Sequence, residues 1–370
     1  MNGRPGLTPQ FSDIRKSGGF DPVLDYSSLP KFELHVHMEG CIQKDDLFAL
    51  QLLRNPTLSR EEFEGRFKFE HFGQFISLWC EHQGLLFQQK CPLEILPGIV
   101  QSIGRFFRDQ KILYVEAHIS PIDSLFMRHG KSGILDNAPF YEEVLLGWDQ
   151  SVEELKNDES MPVIRLIVDL VRNYPQEVFD WQVKSLEKIF YRLRNVIGVG
   201  LGGGGDRRRL TVFREGFARL KACGFQVFAH AGELPPAHQA CLEVRDAVEI
   251  GAQRIGHGIH CSDDRELLEI LCDRGIPLEI CPTSNLMTRS VAQLEDHPLM
   301  QFFQAEVPFT INSDDPVYFS TDLNREYELT QQTFELSDVD MVQILLNSFQ
   351  HSFASDELKS FAKEELSRCL

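Results

Sequence analysis

The run "KFELHVH" closes on two histidines one residue apart, His35 and His37. In a strand, residues i and i+2 point to the same side, so both imidazoles converge on one spot. Three other apolar runs also end in chemistry. "FQVFAHAGE" carries His230 and, three residues on, Glu233; "RIGHGI" sets His257 between glycines; "FTINSDDP" ends in Asp314 and Asp315 before Pro316. Imidazoles with a carboxylate form the donor set of zinc with one position left for water. Such an ion lowers the pKa of its water toward about 7. A remaining histidine can then orient or deprotonate the water, and a remaining glutamate can act as general acid. The set describes metal-assisted hydrolysis. Each member alone has a plainer reading: a hydrogen-bonded core pair for His35 and His37, a polar strand end for His257, a helix start for Glu233 and turn chemistry for Asp314–Asp315–Pro316.

Eight β-rich runs must position these residues: 32–38, 112–120, 162–171, 196–201, 225–233, 254–259, 277–285 and 309–316. Charged, helix-patterned stretches such as 141–157 and 263–275 lie between them. Strands alternating with helices imply a parallel sheet, and eight units close an α/β fold of the (β/α)8 TIM type, with its chemistry at the strand ends. The long segment 39–111 is helical and aromatic, which predicts a cap inserted after the first strand. In it Phe72, Phe75 and Trp79 fall at helical spacing, with core packing as the first expectation and a lid over an apolar ligand as the second. Residues 1–370 are expected to form one domain, ending in an amphipathic helix capped at Ser355/Asp356.

A net charge of −18 argues against a nucleic-acid partner, which demands a basic surface. A small neutral substrate remains compatible. The opening "MNGRPGLTPQFSDIRKSGGFD" has no apolar core for a secretory signal, and no apolar run approaches the roughly 20 residues that span a bilayer. The nine cysteines include no Cys-x-x-Cys pair and read as reduced thiols of a cytoplasmic protein.

"VIGVGLGGGGD" satisfies G-x-G-x-x-G at Gly198, Gly200 and Gly203, so an NAD-dependent oxidoreductase is the rival from another class. No acidic residue ends a strand about 20 residues further on to hold a ribose, and Arg207 to Arg209 follow where a P-loop would carry Lys and Ser or Thr. The alternative is that the Gly202–Gly205 run lets backbone approach a flat ligand closely.

"PKFELHVHMEG", "HAGE", "RIGHGI", "PLEICPTSN" and "INSDDP" together resemble the adenosine deaminase family of metal-dependent aminohydrolases, in order and spacing, from about Pro30 to Phe319. The resemblance implies a zinc barrel that hydrolyses the 6-amino group of a purine nucleoside, adenosine to inosine, releasing ammonia. It implies one zinc ion held by His35, His37, His230 and Asp314. Glu233 would give a proton to purine N1, and His257 would orient and deprotonate the water attacking C6. Asp315 would bond N7, the Gly203 N–H would reach N3, and His37 would also border the substrate. Glu39 stands where adenosine deaminases carry the Asp that holds the ribose 5′-hydroxyl. A Glu there looks more like adenine or aminodeoxyfutalosine deaminases, whereas "PLEICPTSN" and a loop without Asp-Ser-Ser fit the nucleoside enzymes. His118 occupies a position where the family commonly has Arg, and is expected in a supporting role. The absence of Pro-Cys-x-x-Cys separates this chain from cytidine-deaminase zinc sites.

Overall fold

The computed structural model describes residues 24–88, 92–204, 208–234 and 236–370; the N-terminal stretch read above for a signal, and Gly205 and Arg207, lie outside them. Eight parallel strands follow one another round a sheet in chain order. They are β1 (Lys31–His37), β2 (Ile112–Ile119), β3 (Val163–Val171), β4 (Val196–Gly202), β5 (Gln226–Ala231), β6 (Arg254–His257), β7 (Leu278–Ile280) and β8 (Phe309–Ile311). Every neighbouring pair is parallel. The ring closes through Asp314, just past β8: His37 N–H donates to its carbonyl at 2.8 Å, and its own N–H donates to the His35 carbonyl at 3.2 Å. The result is a (β/α)8 barrel of the TIM type.

Helices cover the outside, among them Ala138–Leu155, Gln176–Ile189, Ala237–Ile250 and Arg265–Arg274. The last helix, Asp356–Cys369, starts where the sequence places it, with the Ser355 side chain accepting from Leu358 N–H. Between β1 and β2 the described residues form the 3-10 helix Glu39–Cys41 and the α-helices Lys44–Arg54, Arg60–Gly65, Phe72–Gln88 and Pro92–Asp109. Strands buried on both faces carry continuous apolar runs, and β3 is such a strand, with all of Leu166–Val171 buried.

Two runs break earlier than their apolar pattern suggests. β7 stops at Ile280 because Pro282 opens the short helix Pro282–Met287, a position where its missing N–H costs nothing. Past β8, Asp314 adopts φ 62°, outside any strand geometry. Both breaks turn polar side chains into the mouth of the barrel.

Candidate active site and metal centre

A cavity of about 440 Å3 opens at the strand ends, walled by His37, His230, Glu233, His257, Asp314 and Asp315. The structure therefore brings together residues from β1, β5, β6 and the segment after β8. His35 is fully buried beside them. His37 Nε2 lies 3.2 Å from His230 Nε2 and 3.4 Å from Asp314 Oδ1, and His35 Nε2 lies 3.6 Å from the same oxygen. Donor atoms placed tetrahedrally at zinc bond lengths stand about 3.4 Å apart. The observed spacings match that, and they are poor as hydrogen bonds: His35 Nε2 has no such partner at all. The buried donors fit a divalent cation.

Two of these residues hold strained backbone, with φ 61° at His257 and φ 62° at Asp314. Such conformations cost roughly 1–3 kcal/mol each for non-glycine residues and persist where the surroundings enforce them. Here the neighbours do. Gly258 N–H donates to the Ala231 carbonyl, and Ser284 Oγ donates to Asp314 Oδ2 at 2.6 Å.

His35, His118 and His257 are held by hydrogen bonds from behind. Glu279 on β7 accepts from His35 Nδ1 at 2.7 Å, and its other oxygen accepts from Arg254 Nε at 2.6 Å. Asp169 on β3 bonds His118 Nδ1 at 2.8 Å and stands 3.8 Å from His37 Nδ1. His257 is held by a relay whose directions are forced. Leu299 N–H donates to His297 Nδ1, so neutral His297 carries its proton on Nε2 and donates to Asn285 Oδ1 at 3.2 Å. The Asn285 amide must then donate to His257 Nδ1, at 3.1 Å. A neutral His257 with Nδ1 accepting carries its proton on Nε2, and that atom lies 3.7 Å from Glu233 Oε2.

The electrostatics separate the acids. Burial, reinforced by the Asp314 charge, pushes Glu233 up to about 8. Burial and the neighbouring Asp314 and Glu39 also raise Asp315 well above the carboxylate range. Asp314 goes the opposite way: burial works against its charge, but the facing His35 ring and the other imidazoles around it hold it ionised. Burial lowers His257 to about 3 and His37 to about 4, favouring neutral rings. For His35 burial acts in the same sense, but Asp314 and Glu279 outweigh it and lift the ring to about 10.

The wall opposite the strands comes from the helix Phe72–Gln88. Phe72, Phe75 and Trp79 all line the cavity, and Phe75 and Trp79 are also buried, so packing and lining are one role. Gly203 lines it too, at φ +90°, a conformation that glycine adopts at no steric cost. Glu39 does not reach the cavity wall. Its Oε1 accepts from Ser120 N–H at 2.8 Å, and burial raises its pKa to about 8. The cavity instead meets Asp123, whose carboxylate accepts from Tyr174 Oη at 2.7 Å and Ser120 Oγ at 2.6 Å.

The family model described as adenosine deaminase matches residues 30–368. The chain belongs to the adenosine deaminase family. An aminodeoxyfutalosine deaminase of Acidothermus cellulolyticus is 30% identical over 84% of this chain and 84% of its own. An adenine deaminase of Crocosphaera subtropica is 28% identical over 91% of this chain and 97% of its own. Among solved structures, an amidohydrolase from Burkholderia ambifaria, with bound Zn, superposes with TM-score 0.77 at 20% identity, covering 99% of this chain and 96% of its own, which shows the shared fold.

In this member of the adenosine deaminase family, the G-x-G-x-x-G match is not a dinucleotide loop. Gly198 and Gly200 lie inside β4 of a closed barrel, and a Cβ at Gly200 would stand 2.2 Å from Asp169 Oδ1. Gly200 makes room for the carboxylate that holds His118, and Gly198 for the Phe228 ring. The oxidoreductase reading falls with that geometry. Asp169, Glu279, Asn285, His297 and Asp123 were not singled out from sequence as site residues. Asn285 ends a quoted motif and His118 was expected to support, but hydrogen-bond partners this distant in sequence leave no local signal.

Proposed function

We propose that this protein is a zinc-dependent hydrolytic deaminase of a 6-aminopurine nucleoside, most directly adenosine to inosine and ammonia, with residues 1–370 acting as one barrel domain. The observation that carries it is the Glu233 carboxyl, largely enclosed and raised in pKa, 3.7 Å from His257 in the cavity that also holds the His/Asp cation cluster. His35, His37, His230 and Asp314 would hold the cation. When bound, it supplies Lewis acidity that makes a water molecule nucleophilic at neutral pH.

The chain's own residues do the rest. Glu233, neutral below about pH 8, gives its proton to purine N1, which draws electron density from C6. His257 presents Nε2–H to the attacking oxygen and orients it; the proton the water loses on adding to C6 passes to the Glu233 carboxylate, and the hydroxyl proton of the C6 adduct leaves with the amine as ammonia. Asp315 donates to N7 and the Gly203 N–H approaches N3, fixing the ring. His37 borders the base, and Glu39 shapes the far end through Ser120 rather than by touching substrate. The aromatic helix face excludes water from the ring.

The relatives' activities keep aminodeoxyfutalosine and adenine as the alternative substrates. Free thiols at all eight described cysteines support a reducing, cytoplasmic setting, and no described helix is long and apolar enough to cross a membrane. The deciding experiment is ammonia release from purified protein offered adenosine, 2′-deoxyadenosine, adenine and aminodeoxyfutalosine. Adenosine is expected to give inosine with stoichiometric ammonia. Release from adenine or aminodeoxyfutalosine alone would move the substrate to that alternative, and no release from any would overturn the function.

A further inference from the structure

Asp315 receives a hydrogen bond from outside the barrel strands. Trp79, on the helix Phe72–Gln88 and only 7% exposed, donates its indole N–H to Asp315 Oδ1 at 3.1 Å. An indole nitrogen can only donate, so Oδ1 is committed as an acceptor. Backbone crowds the same oxygen: a Cβ on Gly40 would stand 2.2 Å from it. Together the indole and the Gly40 turn restrict the carboxyl group to one orientation, which leaves Oδ2 for a ligand in the cavity that Asp315 and Trp79 both line.

We propose that Trp79 is a positioning residue for deamination: its N–H assigns the two oxygens of Asp315, so that Oδ2 is the one that donates to N7 of the purine. Purine N7 offers a lone pair and no hydrogen, so Asp315 must be the donor and its oxygens must take different roles. Without the indole N–H, the carboxyl group can present either oxygen and can turn its acceptor toward N7, which repels it. Trp79 therefore acts on the recognition of N7 specifically, while its ring area acts on packing generally. The assignment rests on the reading above that Asp315 faces N7.

The test compares kcat/KM for adenosine with 7-deazaadenosine, and for adenine with 7-deazaadenine, in the wild type and in Trp79→Phe. Phenylalanine keeps an aromatic ring and removes only the donor and some area. The wild type is expected to prefer the N7 compound of each pair it turns over. Trp79→Phe is expected to lose about tenfold on that compound and little on its 7-deaza partner, the size of one buried hydrogen bond to an acid group. The preference then shrinks about tenfold. Phe75→Leu, which trims the same helix face and removes no hydrogen bond to Asp315, should lower both members of a pair by a common factor.

Equal losses on both members in Trp79→Phe, or no loss on either, would overturn the proposal and leave Trp79 a packing residue. A Phe75→Leu variant that narrows the preference as much would overturn it too, since helix packing alone would then suffice. A wild type that does not distinguish N7 from C7–H withdraws the Asp315–N7 contact and Trp79's role with it. A preference that survives in Trp79→Phe withdraws Trp79 alone.

Discussion

Replacing Glu279 by glutamine tests whether the site is built from below. Glu279 is 1% exposed and accepts from two donors at once, His35 Nδ1 at 2.7 Å and Arg254 Nε at 2.6 Å. Burial opposes its charge, but the Arg254 guanidinium and the His35 bond hold it ionised, at about 2. Glutamine keeps the shape and offers one acceptor oxygen; its amide must face the other donor. One buried N–H is then left without a partner, at about 1–3 kcal/mol. Arg254 keeps Glu116, whose oxygen lies 2.6 Å from Nη2, so the variant should still fold. With an unfolding entropy of about 2.1 cal/mol/K per residue, 370 residues translate that loss into a Tm lower by about 1–4 °C in metal-free protein. Loss of the group that orients a histidine ligand costs about 10–100-fold in metal affinity. Thermal unfolding of the metal-free protein and chelator competition measure the two effects separately. A destabilised variant with wild-type metal affinity would refute the claim that Glu279 aims His35 at a cation. An unchanged Tm and affinity would refute the donor count itself.

Three further outcomes follow from the same geometry. Glu233→Gln should retain metal and lose turnover by about 10²–10⁴-fold; in the wild type the active, protonated form of Glu233 is lost as pH rises through about 8, so kcat/KM should hold below that pH and decline above it, and an increase above 8 contradicts the acid role. His35→Ala should abolish metal content and activity together, measured by elemental analysis and ammonia release, and activity surviving without metal defeats the proposed centre. Nitrogen-15 shifts of the His257 ring should show the proton on Nε2 in the wild type, with His297→Phe blurring that preference; a proton found on Nδ1 removes the relay and returns His257 to the role of base.

Much of the architecture was legible because strand spacing is a local property. All eight runs became strands, and the closing helix begins at the Ser355 cap. The residues around the candidate cation were legible for a related reason: histidines and acids at strand ends need only the barrel rule to be brought to one mouth. What escaped was register-dependent. Glu279 meets His35 across 244 residues, and Trp79 meets Asp315 across 236; nothing in either neighbourhood announces the partner. Glu39 stood out by its place in the motif, and the structure sets it one residue behind the cavity, its Oε1 accepting from the N–H of Ser120, which lines it.

The strands divide their labour in a way that explains both results. β1, β5 and β6 and the turn after β8 supply the histidines and acids around the candidate cation. β7 supplies Glu279, which holds His35 from behind, and β2 supplies His118, whose ring packs on His35, His37 and His230 while Asp169 of β3 bonds it. β4 supplies space: Gly198 and Gly200 leave the gap that Phe228 and Asp169 fill. A residue that faces the cavity is constrained by the chemistry it does, so its type alone gives it away. A residue that holds another needs only the complementary atom at the right distance, and many types can provide one. An emptied position gives no chemical signal whatever, which is how two glycines that make room for a ring and a carboxylate came to resemble a nucleotide loop. Gly200→Ala separates these readings, since the added Cβ must displace Asp169 and with it His118, and should lower metal affinity without the variant's ever having bound a dinucleotide.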